Sequence, residues 1–117
     1  GSAPRRLASA RDGSLWVTLY GKGTLLRVDP VTEKVVKEYG LPAGPTGGPY
    51  AVTVDGAGMV WANEFAADTV VRLDPKTDQI RVFTLPSKDV GIRKMVVDAE
   101  GRLWYMGSHN GRLGVIE

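Results

Sequence analysis

The chain of 117 residues is the size of one folded unit, and 43% hydrophobic and 24% charged residues with 15 Gly and 7 Pro describe a turn-rich globular protein, which excludes collagen, coiled coil and wholesale disorder. Fifteen Lys and Arg against thirteen Asp and Glu leave a net charge of +2 with no basic run, so nothing points to nucleic acid. No apolar run approaches the roughly 18 to 20 residues of a membrane span, and the absence of cysteine removes disulfides, thiolate metal sites and Cys nucleophiles.

In chain order, Gly1-Ser2 reads as a cloning scar and is set apart from the repeats. The first landmark is Asp12-Gly13-Ser14-Leu15-Trp16, followed by Gly21-Lys22-Gly23, by Arg27-Val28-Asp29-Pro30 and by Leu41-Pro42. The Gly-Lys-Gly triplet lacks the length and the trailing Lys-Ser/Thr of a phosphate loop and predicts a hairpin tip. Asp29 precedes Pro30 at a strand end, where a fixed φ and a missing N–H suit a tight turn; with Thr32 it predicts a side-chain-braced turn and not a calcium site.

The same landmarks return as Gly56-Ala57-Gly58-Met59-Val60-Trp61, Arg72-Leu73-Asp74-Pro75 with Thr77, and Leu85-Pro86. In this unit the alternation predicts four strands, near residues 51–54, 59–62, 69–73 and 80–85. A third copy opens at Glu100-Gly101-Arg102-Leu103-Trp104, so the tryptophans are spaced by 45 and 43 residues. It predicts only three strands, near 95–97, 103–105 and 113–116, with Asn110-Gly111 as a two-residue hairpin turn.

Four antiparallel strands every 40 to 45 residues is the signature of a β-propeller blade. The fold class is therefore all-β: a propeller fragment of about three blades, over residues 3–48, 49–90 and 91–117, the third lacking its outer strand. Eleven strands are about half of a six-bladed ring, with a seven-bladed ring as the alternative. Trp16, Trp61 and Trp104 recur at the blade period inside strands and are expected to fill the space between sheets.

The repeat, written Asp-x-x-Gly-x-Leu/Val-Trp, a hairpin, Val/Leu-Asp-Pro-x-Thr and Leu-Pro, resembles that of the virginiamycin B lyase (streptogramin lyase) family, over residues 4–117, and corresponds to its C-terminal part. The resemblance implies a Mg²⁺-dependent elimination that linearises streptogramin B antibiotics, with a His after Gly-Pro as general base and a Glu three residues after the repeat Trp holding metal. At the His position this sequence has Arg5, Tyr50 and Arg93; at the Glu position it has Leu19, Glu64 and Gly107. Only Glu64 matches, as a weak metal candidate, because octahedral Mg²⁺ normally takes more than one acidic ligand.

Propeller geometry places the starts of the innermost strands and the ends of the second strands around one channel mouth. Arg5, Tyr20, Tyr50, Glu64, Arg93 and Asn110 are the expected ligand-binding residues there, suited to a small anionic or carbonyl-bearing molecule. The alternative is that these residues simply pair with one another along the rim. His109, the single histidine, is the one weak candidate for a catalytic base; Ser108 beside it has no identifiable third member for a triad. Three functions follow: a catalytically inactive binding module or scaffold that self-assembles, part of a lyase-like enzyme, or a fragment made to study assembly. No cofactor is expected, with Mg²⁺ as the family-implied alternative. The expected partner is a second copy closing a six-bladed ring, or a complementary N-terminal half, with neither nucleic acid nor membrane. The protein is expected to be soluble, of bacterial cytoplasmic or periplasmic type, and the residues do not assign the compartment.

Overall fold

The computed structural model describes residues 1–117 and contains eleven strands and no helix. The first sheet holds β1 (Pro4–Ser9), β2 (Leu15–Leu19), β3 (Thr24–Asp29) and β4 (Lys34–Gly40). The second holds β5 (Pro49–Val54), β6 (Val60–Glu64), β7 (Thr69–Leu73) and β8 (Ile80–Thr84), and the third β9 (Ile92–Val97), β10 (Leu103–Gly107) and β11 (Leu113–Ile116). Within each sheet every strand pairs antiparallel with its neighbour in chain order. These are three successive propeller blades, the third with three strands, as the repeat pattern predicts.

Burial decides which face each strand turns inward. In the middle blade both faces are covered, so all five residues of β6 are buried, Asn63 and Glu64 included. Trp16, Leu25 and Tyr39 of the first blade pack on Val60, Ala62, Val71 and Leu73 of the second. The opposite face of the second blade, Ala51, Trp61 and Val70, packs on Ile92, Met95, Leu103 and Tyr105 of the third. Trp16 and Trp61 are core residues as expected, but Trp104 is only half-buried, because no sheet of this chain lies over its face.

The loop joining the first two strands of each blade explains the Asp and Gly of the repeat. In the second blade Asp55 Oδ1 accepts the Ala57 and Met59 amides at 2.9 and 3.0 Å, while Oδ2 accepts the Trp61 indole N–H at 2.9 Å. In the third, Asp98 does the same for Glu100, Arg102 and Trp104. Gly13, Gly58 and Gly101 complete these loops at φ of +89°, +85° and +81°, a conformation that side chains rarely adopt. In the first blade the carboxylate position is Ala10.

Asp29 and Asp74 accept the Val31 and Lys76 amides at 2.9 Å, the braced turns expected from Asp-Pro. Gly21 and Gly23 lie in the β2–β3 hairpin tip as predicted. Asn110-Gly111 does not form a two-residue turn. The β10–β11 connection is five residues, 108–112, in which only Gly111 has positive φ (+67°), and Asn110 Oδ1 instead accepts the Arg112 amide at 3.0 Å. A type I′ turn needs positive φ at both central residues, and the longer loop removes that need.

Asp98 provides a pH test of this loop. The Trp104 indole bond, with the Arg102 and Glu100 bonds, lowers its pKa from 3.8 to about 2. The unfolded chain therefore binds the proton more tightly than the folded one. The stabilising contribution is complete above the unfolded value of 3.8 and is lost as pH falls toward about 2. Thermal melts between pH 5 and pH 2 should lose part of their acid dependence in Asp98→Asn, whose amide does not titrate; an unchanged acid limb would contradict this role.

Candidate functional site

A β-bulge at the same place in each blade builds the channel mouth. Pro4 pairs with Leu19, Pro49 with Glu64 and Ile92 with Gly107, after which the register shifts before Leu7, Val52 and Met95. Two residues therefore face one, and the bulge re-aims Arg5, Tyr50 and Arg93. The residues after β2, β6 and β10 are held opposite by equivalent bonds: Tyr20 N–H to Ala3 O, Phe65 N–H to Gly48 O and Ser108 N–H to Gly91 O.

These elements bring four of the predicted residues together. The Arg5 guanidinium lies 4.6 Å from the Tyr20 ring centre and 5.9 Å from that of Tyr50, and the Arg6 guanidinium lies 4.9 Å from Tyr50. Tyr20, Tyr50 and Phe65 contact one another at centroid distances of 5.5 to 6.4 Å. Arg93 sits 5.5 Å over Phe65 and donates to Ser108 Oγ at 2.8 Å. His109 meets the Phe65 ring edge-on at 5.2 Å, and its Nδ1 is 2.8 Å from Asp89 Oδ1. Arg5, Arg6 and Arg93 are exposed and form no ion pair.

Phe65, at the centre of this cluster, is not among the mouth residues expected from the sequence. Its signal was present: it stands four residues after Trp61, as Tyr20 stands four after Trp16.

Two expected site residues face elsewhere. Glu64 is 1% exposed, with Oε2 accepting the Ala43 amide at 2.7 Å and Oε1 accepting the Thr69 hydroxyl at 2.9 Å. Its carboxylate ties the loop between the first two blades to β7, so it is committed to structure. Asn110 borders a cavity of about 470 Å³ beside Leu85, Tyr105 and Leu113 and braces its own turn. The residues present do not fit Mg²⁺. Glu64 has both oxygens occupied, Leu19 and Gly107 at the equivalent positions offer no ligand, and no three His, Asp or Glu side chains cluster anywhere in the chain.

No family model matches the chain. An uncharacterised protein of Sulfolobus acidocaldarius is 53% identical over 32 residues, 27% of this chain and 12% of that protein. Among solved structures, a streptogramin B lyase superposes with a TM-score of 0.88 at 24% identity, covering 97% of this chain and 37% of that one. A catalytically inactive virginiamycin B lyase from Staphylococcus aureus with quinupristin gives 0.85 at 23% identity, covering 100% and 42%. A periplasmic gluconolactonase from Pseudomonas aeruginosa gives 0.78 at 21% identity, covering 98% and 35%. The chain thus has the propeller fold of virginiamycin B lyases and spans about two fifths of their length.

The bonding of Glu64 predicts a stability phenotype. Glu64→Ala leaves a part-buried amide and hydroxyl without their acceptor and should lower unfolding free energy by about 2–4 kcal/mol in urea titrations. Glu64→Gln, which keeps one acceptor oxygen, should lose about half as much. A side chain held free for a ligand would leave stability unchanged in both.

Proposed function

We propose that this chain is a binding module within a β-propeller ring, taking a planar anionic ligand at the channel mouth, and that it is catalytically inactive by itself. Carrying this reading is the stack of Arg5, Arg6 and Arg93 on Tyr20, Tyr50 and Phe65, in which no guanidinium is neutralised by a carboxylate. Aromatic faces hold a flat ligand by stacking while guanidinium forks bond its oxygens. Against a lyase acting alone, the matching base positions carry two arginines and a tyrosine in place of a histidine. His109 is displaced from them and paired with Asp89.

Titration with naphthalene-2-sulfonate by calorimetry tests the binding. Arg5→Gln and Arg93→Gln should each weaken it about 5- to 10-fold; equal affinity in both variants would remove the mouth as the site. Incubation with a streptogramin B antibiotic and Mg²⁺, followed by mass spectrometry, should give no linearised product. Product that disappears in His109→Ala would restore the enzyme reading.

A second copy closing the ring is favoured by the two uncovered faces. Leu7 is 67% exposed on the first blade, whereas its register equivalents Val52 and Met95 are packed against a neighbouring blade. Met106 and Leu113 are 66% and 64% exposed on the third, where Thr18 with Leu25 and Asn63 with Val70 are at most 1% exposed in the other two. Each such apolar side chain forgoes about 1.5–3 kcal/mol of burial. The first-blade face is the counterpart of the surface that already receives a Trp-bearing face at both internal junctions, so head-to-tail pairing of two copies reproduces a contact the fold makes twice. Two copies supply 22 strands, against 24 in a complete six-bladed ring. Light scattering at micromolar concentration should report twice 12.6 kDa, reverting to a single chain in Leu113→Glu. A folded species of 12.6 kDa for the unmodified chain would overturn the dimer and leave a complementary N-terminal half as the cover.

A further inference from the structure

On the face opposite the channel mouth, the three β1–β2-type loops differ in one respect. Their backbones match: Ala10, Asp55 and Asp98 donate to Ser14 O, Met59 O and Arg102 O at 2.9 Å in each case, and the glycine amide returns to the carbonyl of residue 10, 55 or 98 at 3.0 Å. In the second and third loops an Asp carboxylate gathers the same three donors, two loop amides and the Trp indole, and Asp98 also accepts Arg102 Nε at 2.8 Å. In the first loop that carboxylate is missing, because residue 10 is alanine.

One of the three donors has found a substitute: the Ser14 amide and hydroxyl bond to Asp12 Oδ1 at 2.9 and 2.6 Å. The other two have not. Trp16 is 1% exposed and its indole N–H is the one buried side-chain polar atom of the chain without a partner. The Asp12 amide, equivalent to those of Ala57 and Glu100, has no acceptor within the chain.

Beside this gap lies a cavity of about 660 Å³ between the first two blades, bordered by Ala10, Trp16, Arg11, Arg27, Met59 and Lys76. Arg27 and Asp12 neutralise each other at 3.0 Å, and Asp55 is consumed by its own loop, whereas Arg11 and Lys76 form no ion pair. Asp74, the remaining acid at the rim, uses Oδ1 to brace its turn. Recognition here rests on two unpaired donors, with Arg11 and Lys76 supporting a negative charge.

We infer that the first blade carries a carboxylate-binding site, in which a small organic monocarboxylate takes the place of the absent Asp side chain. One ligand oxygen accepts the Trp16 indole N–H and the other the Asp12 amide, the pairing that Asp55 makes with Trp61 and Ala57. The ligand's remaining carbon chain occupies the cavity toward Met59. An unpaired buried donor is costly, so an acceptor that reaches it is bound with more than its solvent-exposed worth. This site is separate from the channel mouth and does not depend on it.

The three tryptophans give three indole N–H signals in a ¹⁵N–¹H spectrum of the full chain, and Trp16→Phe identifies the one from residue 16. Sodium acetate, with sodium chloride at matched ionic strength as the control, should move the Trp16 signal downfield saturably and leave those of Trp61 and Trp104 in place. Ala10→Asp should shift that signal without acetate, toward the positions of the other two, and abolish its response. Arg11→Gln and Lys76→Gln should each raise the half-saturating concentration about 2- to 5-fold. A Trp16 signal indifferent to acetate, one that responds equally in Ala10→Asp, or an Ala10→Asp variant that leaves it unshifted would each overturn the site.

Discussion

A bulge in the innermost strand of each blade sets the terms for the rest of the fold. Placing two residues opposite one frees a backbone amide inside the sheet, and a buried amide needs an acceptor. In the first blade Thr18 Oγ1 accepts the Arg6 amide at 3.1 Å and donates to Tyr50 O of the next blade at 2.6 Å. In the second, Asn63 Oδ1 accepts the Ala51 amide at 2.7 Å and its Nδ2 donates to Ile92 O of the third at 2.9 Å. One buried polar side chain thus repairs its own sheet and fastens the next. These bonds lie in apolar surroundings, where a satisfied polar group specifies one arrangement of neighbours and an unsatisfied one is penalised.

The third blade departs from this rule. Met106 stands where Thr18 and Asn63 stand, and it can neither accept the Lys94 amide nor donate across a junction. Arg5 O, the first-blade counterpart of the carbonyl that Thr18 reaches, is meanwhile bonded by Arg6 at 3.1 Å. The outer face of the third blade thus offers no polar donor at this position, and the Arg5 carbonyl on the outer face of the first is already served within the chain.

The bulge also links stability to the mouth. The displacement that frees the amide is the one that re-aims Arg5, Tyr50 and Arg93, so these residues sit on strand starts and not on free loops. Glu64 belongs to the same framework: it fixes the loop that crosses between the first two blades, just behind Tyr50.

Periodicity made the architecture readable from the amino-acid order. Three Trp motifs at a 43 to 45 residue period, with Asp-Pro turns between, prescribe three antiparallel sheets, because strand alternation and turn chemistry are local. The convergence of Arg5, Tyr20, Tyr50 and Arg93 followed from the same repeat. What the order of residues could not convey was the direction of each side chain across a junction. Glu64 has the chemistry of a metal ligand by type and became a loop tie because two donors from other segments reach it. Trp104 carries the core motif yet stays half-exposed, since burial depends on what lies over a sheet. Ala10 is unremarkable by itself. Only the superposable loops, in which Asp55 and Asp98 hold an indole and Ala10 does not, turn its small side chain into an absent acceptor, because hydrogen-bond satisfaction belongs to pairs of groups brought together by folding.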